Sequence, residues 1–121
     1  MALKYLLDEN LVALWPPIQQ YNRGGTFIVD CVCVGDFAEL PLRSTDPRIL
    51  KWTQRENRLL VSFDKRSLPG HLADHLAAGG HSPGIFLVRR RASFKEVVAF
   101  LAVAAYASAP HEWQDTIYYI P

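Results

Sequence analysis

The chain has 121 residues, half of them hydrophobic and 21% charged, with 13 Lys+Arg against 12 Asp+Glu. That length fits one domain with a substantial core, and the composition excludes a disordered polymer. A net charge of +1 neither requires nor excludes a nucleic-acid partner, so any attraction for a polyanion must come from local clusters.

In chain order, Leu3 to Leu7 is a short apolar run that stops on Asp8, which predicts a buried strand with Asp8 and Asn10 at its exit. A helix is expected from about Asn10. Pro16 and Pro17 must interrupt or restart it, because proline lacks an N–H and crowds the preceding turn, and Arg23-Gly24-Gly25 closes it. A second strand is expected over Phe27 to Val34, ending at Gly35-Asp36. Thr45-Asp46-Pro47 begins a helix running from about Asp46 to Glu56, with Ile49, Leu50, Trp52 and Thr53 on its apolar face and Asn57 ending it.

A third strand, Arg58 to Phe63, also stops on a carboxylate, Asp64. There follow a helix from about Leu68 to Ala78, a Gly/Pro-rich turn, a strand Ile85 to Val88, a helix from Ser93 to Ala107 capped by Ser93 with Glu96 three residues on, and a β-prone tail, Thr116 to Ile120. Strands alternating with helices predict an α/β fold, a three-layer α/β/α sandwich around a mainly parallel sheet. The longest apolar tract, Val97 to Ala107, is too short for the roughly 20 residues that span a bilayer, so no membrane partner is expected. The N-terminus carries no signal-peptide pattern, which points to a cytoplasmic protein.

Side chains at the carboxyl ends of neighbouring parallel strands converge on one crevice. Asp8 and Asp64 are therefore expected to meet there, and Asp46, at the start of the intervening helix, leans over the same place. Three carboxylates held close repel one another unless a cation compensates. Hard oxygen donors of this kind suit Mg²⁺ or Mn²⁺, ions that serve attack on phosphodiesters. Each acid also has a plainer role: Asp8 and Asp64 can cap the helices that follow, and Asp46 can simply begin one.

Arg89, Arg90 and Arg91 follow the fourth strand and share an edge of the sheet with Asp64, Lys65 and Arg66; they read either as a basic rim of the sort that binds a phosphate backbone or, equally, as a solvated loop. The aromatic residues show no stripe interleaved with basic ones, so no base-stacking platform is expected; Tyr118 and Tyr119 instead read as core or interface. His71 and His75 stand one helical turn apart but, without a third ligand, read as surface residues. Cys31 and Cys33 read as small core residues. A phospho-acceptor domain would also place acids after strands one and three, but it requires a late Lys that this chain lacks.

Leu6-Leu7-Asp8-Glu9-Asn10-Leu11, then Asp46-Pro47-Arg48-Ile49-Leu50, then Asn57 to Lys65, and finally Gly84 to Arg89 resemble, in order and spacing, the small stand-alone PIN-like proteins related to VapC-type toxin ribonucleases. The resemblance implies a single PIN-like domain and a metal-dependent endoribonuclease, with Asp8, Asp46 and Asp64 holding Mg²⁺ or Mn²⁺ and Asn10 supporting the first turn. It also implies RNA as substrate, an antitoxin as partner in a toxin–antitoxin pair, and a homodimer. The chain departs from the pattern at one place: relatives often carry a second acid two residues after the third-strand Asp, where this chain has Arg66. That departure leaves an alternative open, a catalytically weak or inactive module that acts by binding RNA or protein.

Overall fold

The computed structural model describes residues 2–120. Five strands, β1 (Lys4–Leu7), β2 (Asp30–Cys33), β3 (Leu59–Ser62), β4 (Ile85–Val88) and β5 (Ile117–Ile120), form one sheet in the order β2-β1-β3-β4-β5, every pair parallel. Four α-helices cover it: α1 (Trp15–Gly24), α2 (Asp46–Glu56), α3 (Leu68–Ala77) and α4 (Phe94–Ala107). The architecture is the expected α/β sandwich.

Strand side chains alternate between faces, and that alternation sorts the core. Tyr5, Leu7, Leu59, Val61, Phe86 and Val88 pack with Ile18 of α1 and with Val97 and Leu101 of α4. Leu6, Leu60, Ile85 and Leu87 pack on the other side with Ile49, Leu50 and Trp52 of α2 and with Leu68 and Leu72 of α3. Both faces of the sheet are covered, which is why the strands read as continuous apolar runs.

The prolines act as helix starters. Glu9–Leu14 is a kinked 3₁₀ segment, and α1 begins at Trp15 with Pro16 and Pro17 in its first turn, where an N–H has no intrahelical partner to lose. The second strand is shorter than expected, because the Asn22 side chain bonds both the N–H and the C=O of Val29, each at 2.9 Å. Those groups are thereby removed from any ladder, and Phe27 and Ile28 stay exposed. Ser93 occupies the N-cap position of α4 but makes no side-chain capping bond. At the other end of α2, Asn57 takes the left-handed conformation expected of a residue that stops a helix.

Candidate metal and nucleic-acid site

The chain leaves β1 for β2 on one side and returns to β3 on the other, so the direction of sheet growth reverses between β1 and β3. In open parallel sheets the crevice beyond the carboxyl ends at that point is where ligands bind. Leu7 pairs with Val61, so the next residues along, Asp8 and Ser62, stand opposite each other. Both belong to the register that faces α2 and α3, and the Ser62 hydroxyl donates to Asp8 Oδ2 at 2.8 Å. Asp8 Oδ1 accepts from the Glu9 N–H at 2.7 Å, which caps the 3₁₀ segment.

Asn10 ties the two strand exits together: its Oδ1 accepts from the Phe63 N–H at 3.3 Å and its Nδ2 lies 3.4 Å from Ser62 Oγ. Asp64 does not cap α3, whose N-cap is Ser67; its Oδ1 instead closes the turn ahead of that helix, accepting from the N–H groups of Arg66 and Ser67, both at 3.1 Å. Its other oxygen is left for the Ser67 hydroxyl, which also lies 2.9 Å from Asp46 Oδ2. Asp46 sits in the first turn of α2 behind its N-cap, Thr45. Ser67, the N-cap residue of α3, therefore stands between two of the three expected acids.

His71 is a part-exposed residue at the edge of this site. Its Nε2 lies 3.7 Å from Asp46 Oδ2, whereas His75 faces Gln54 and the carbonyl of His81. Asp36, just beyond β2, turns back to accept from the Cys33 N–H at 2.8 Å. Glu9 accepts from the Arg43 N–H at 2.6 Å, fastening the loop before α2.

Asp8 is only 7% exposed. Burial pushes its carboxyl above the usual carboxylate range, the Ser62 and Glu9 donors oppose this, and the charges of Asp46 and Asp64 add to the rise. Asp64 is held below the usual range, first by the Ser67 hydroxyl; burial, the next-largest effect, opposes this, and the Ser67 and Arg66 N–H groups and the field of His71 add to the lowering.

As the side chains stand, no group of three or more His, Cys, Asp or Glu among the described residues is spaced to hold a metal ion. The donor chemistry nonetheless fits a hard divalent cation. One hydroxyl proton on Ser67 serves two carboxylates, and among the described residues no Lys or Arg side-chain nitrogen lies within 4.0 Å of a carboxylate oxygen of Asp8, Asp46 or Asp64, the His71 imidazole beside Asp46 being the one basic group at that range. Uncompensated oxygens of this kind are the ligands that Mg²⁺ and Mn²⁺ take.

Beside the acids, Asn10, Phe63, Asp64, Lys65, Arg66 and Arg90 line an open cleft of about 480 Å³. A neighbouring cleft of about 400 Å³ shares Phe63, Lys65 and Arg90 and adds Arg89, Arg91 and Tyr119. Phe63 and Tyr119 line the same cleft as these arginines, Tyr119 because β5 pairs with β4 in a register that sets it beside Leu87. No protein-family model, curated protein or solved structure matches this chain. No helix among the described residues is long and apolar enough to cross a membrane.

Proposed function

We propose that this chain is a divalent-metal-dependent endoribonuclease in which Asp8, Asp46 and Asp64 hold Mg²⁺ or Mn²⁺ and Lys65, Arg66, Arg89, Arg90 and Arg91 bind the RNA backbone. The observation that carries the reading is the convergence of three carboxylates without a Lys or Arg partner at the β1–β3 reversal, next to a cleft lined by basic and aromatic side chains. The PIN-like resemblance of the surrounding motifs supports the same conclusion.

A bound divalent ion supplies Lewis acidity and a water of lowered pKa for attack on a phosphodiester. The chain's own residues do the rest. Asp8 is fixed by Ser62 and the Glu9 N–H, and Asp64 by the Arg66 and Ser67 N–H groups, so these ligands are organised before an ion arrives. Asn10 keeps the two strand exits in register. The arginines bind phosphates without regard to base, and Phe63 and Tyr119 offer faces on which unpaired bases can stack.

A second reading, an RNA- or protein-binding module without cleavage, is favoured by Arg66 at the position of an expected acid and by the spacing of the acids as they stand. Cleavage of a mixed RNA pool with Mg²⁺, Mn²⁺ or EDTA separates the two. Metal-dependent cutting that is lost in folded Asp8→Asn and Asp64→Asn variants is expected; RNA binding without cutting under either metal favours the module.

A further inference from the structure

A strand at the edge of a sheet turns the N–H and C=O of every second residue to open space, and proteins commonly shield those groups. This sheet has two edges, β2 and β5, and they differ. The Val34 N–H bonds the Leu7 carbonyl at 3.0 Å, so alternation along the strand turns the backbone groups of Val29, Cys31 and Cys33 outward. Asn22 takes both groups of Val29. Asp36 takes both groups of Cys33, its carboxylate accepting from the N–H at 2.8 Å and its own N–H donating to the carbonyl at 3.0 Å. Cys31 is left between two clamps, and the β2 edge is closed to a further strand.

β5 has no such clamp. The Ile85 N–H bonds the Thr116 carbonyl at 3.0 Å, so residues 116, 118 and 120 turn their backbone groups to β4, while Ile117 and Tyr119 turn theirs outward. Among the described residues, the outward N–H and C=O groups of Ile117 and Tyr119 have no hydrogen-bond partner. Thr116 to Ile120 carries neither charge nor proline, the devices that usually blunt an edge. Tyr118 and Tyr119 remain 52% and 48% exposed, so neither is covered by a helix or loop.

We propose that β5 pairs antiparallel with β5 of a second copy of this chain, about a twofold axis perpendicular to the sheet. Such an axis keeps each face of the sheet on its own side, so opposed residues must come from the same face. Ile117 opposite the partner's Tyr119 meets that condition. Both residues turn outward, so each such pair exchanges both of its hydrogen bonds. Tyr118 then faces the partner's Tyr118 in the closely spaced, non-hydrogen-bonded position, on the side where its ring packs edge-on against Trp113 at 5.2 Å. The strand is complementary to itself, and this selects a second copy over an unrelated peptide. The inference stands independently of the nuclease reading, although the start of the partner's β5 borders the cleft that Tyr119 lines.

The test is sedimentation equilibrium of the full chain from about 10 µM to about 1 mM, the range suited to a small interface, joined to amide hydrogen exchange at both ends of that range. The expected result is a reversible dimer in which the Ile117 and Tyr119 amides are protected only at high concentration and the Tyr118 and Ile120 amides at both. Tyr118→Lys and Tyr118→Glu should each weaken self-association about tenfold or more, because residue 118 meets its own copy, and their equimolar mixture should restore it. The wild-type exchange pattern stands by itself should either variant fold poorly. A wild type still monomeric at about 1 mM overturns the proposal. So does a dimer that leaves the Ile117 and Tyr119 amides unprotected, or that both variants form as readily as wild type. A mixture that associates no better than its components overturns the register.

Discussion

The Ser62 hydroxyl donates to Asp8 Oδ2 at 2.8 Å where β1 and β3 leave the sheet, and it is also the acceptor for the Asp64 N–H at 3.0 Å. Ser62 is fully buried. Ser62→Ala therefore strips a donor from a buried carboxylate and an acceptor from a backbone N–H, and is expected to cost about 1–3 kcal/mol. Urea unfolding at pH 7 measures it, and a variant as stable as wild type would show that the bond is dispensable.

The two strand-exit acids should respond to neutralisation with opposite signs in the absence of metal. Asp8 has its folded pKa raised, so the folded state binds more protons and stability falls as pH climbs from about 4 through the raised value. Asp8→Asn is thus more stable than wild type at pH 7 in EDTA, and the gain fades below about pH 4. Asp64 is depressed, so its contribution is present above about pH 4 and is lost as pH falls through the lower folded value. Asp64→Asn is less stable at pH 7. Mn²⁺ at a hundredfold excess over its dissociation constant stabilises wild type by about 2.7 kcal/mol and reverses its order with Asp8→Asn. Denaturation from pH 3 to 7, with and without the ion, checks each sign.

Arg89, Arg90 and Arg91 act through phosphates, so replacing them weakens binding alike for every RNA sequence. For single strands the slope of log K against log salt should become shallower by about 0.7 for each phosphate that is no longer neutralised. Anisotropy titrations at several salt concentrations, with cleavage blocked by EDTA, report that slope. An unchanged slope with weakened binding would assign these residues to folding.

Two glycines make a matched pair for the fold. Gly84, ahead of β4, has φ +130° and a Cβ there would sit 2.6 Å from the Trp113 carbonyl oxygen. Gly84→Ala is expected to cost about 2 kcal/mol or more, through strain and collision together. Gly70 lies within α3 with open space around its Cα, and Gly70→Ala should stabilise by about 0.5–1 kcal/mol. Melting of the two variants under one condition decides both.

The strands and helices were legible because their signals are local. Asp46–Glu56 carries a capping Thr45, a first-turn proline and an apolar face, and Ile85–Val88 is a bare apolar run. The meeting of Asp8 with the exit of β3 followed from strand ends and parallel pairing. The second strand was overdrawn because Asn22 captures Val29 from seven residues away, an interaction that hydropathy does not register. Ser62 did leave a trace, as the polar residue within Leu59 to Phe63. Ser67 left little, since its place between Asp46 and Asp64 depends on α3 lying against α2. The clustering of Tyr119 with the arginines was hidden for the same reason, being a product of β4–β5 register.

The most direct test is an anomalous difference map from crystals grown with Mn²⁺ and recorded at the manganese edge. A peak is expected in the crevice between Asp8, Asp46 and Asp64, with the Ser67 hydroxyl turned away from the position it now holds between the last two. A protein saturated with Mn²⁺ in solution that shows its peak elsewhere, or none in that crevice, would contradict the assignment of these three carboxylates as the metal site.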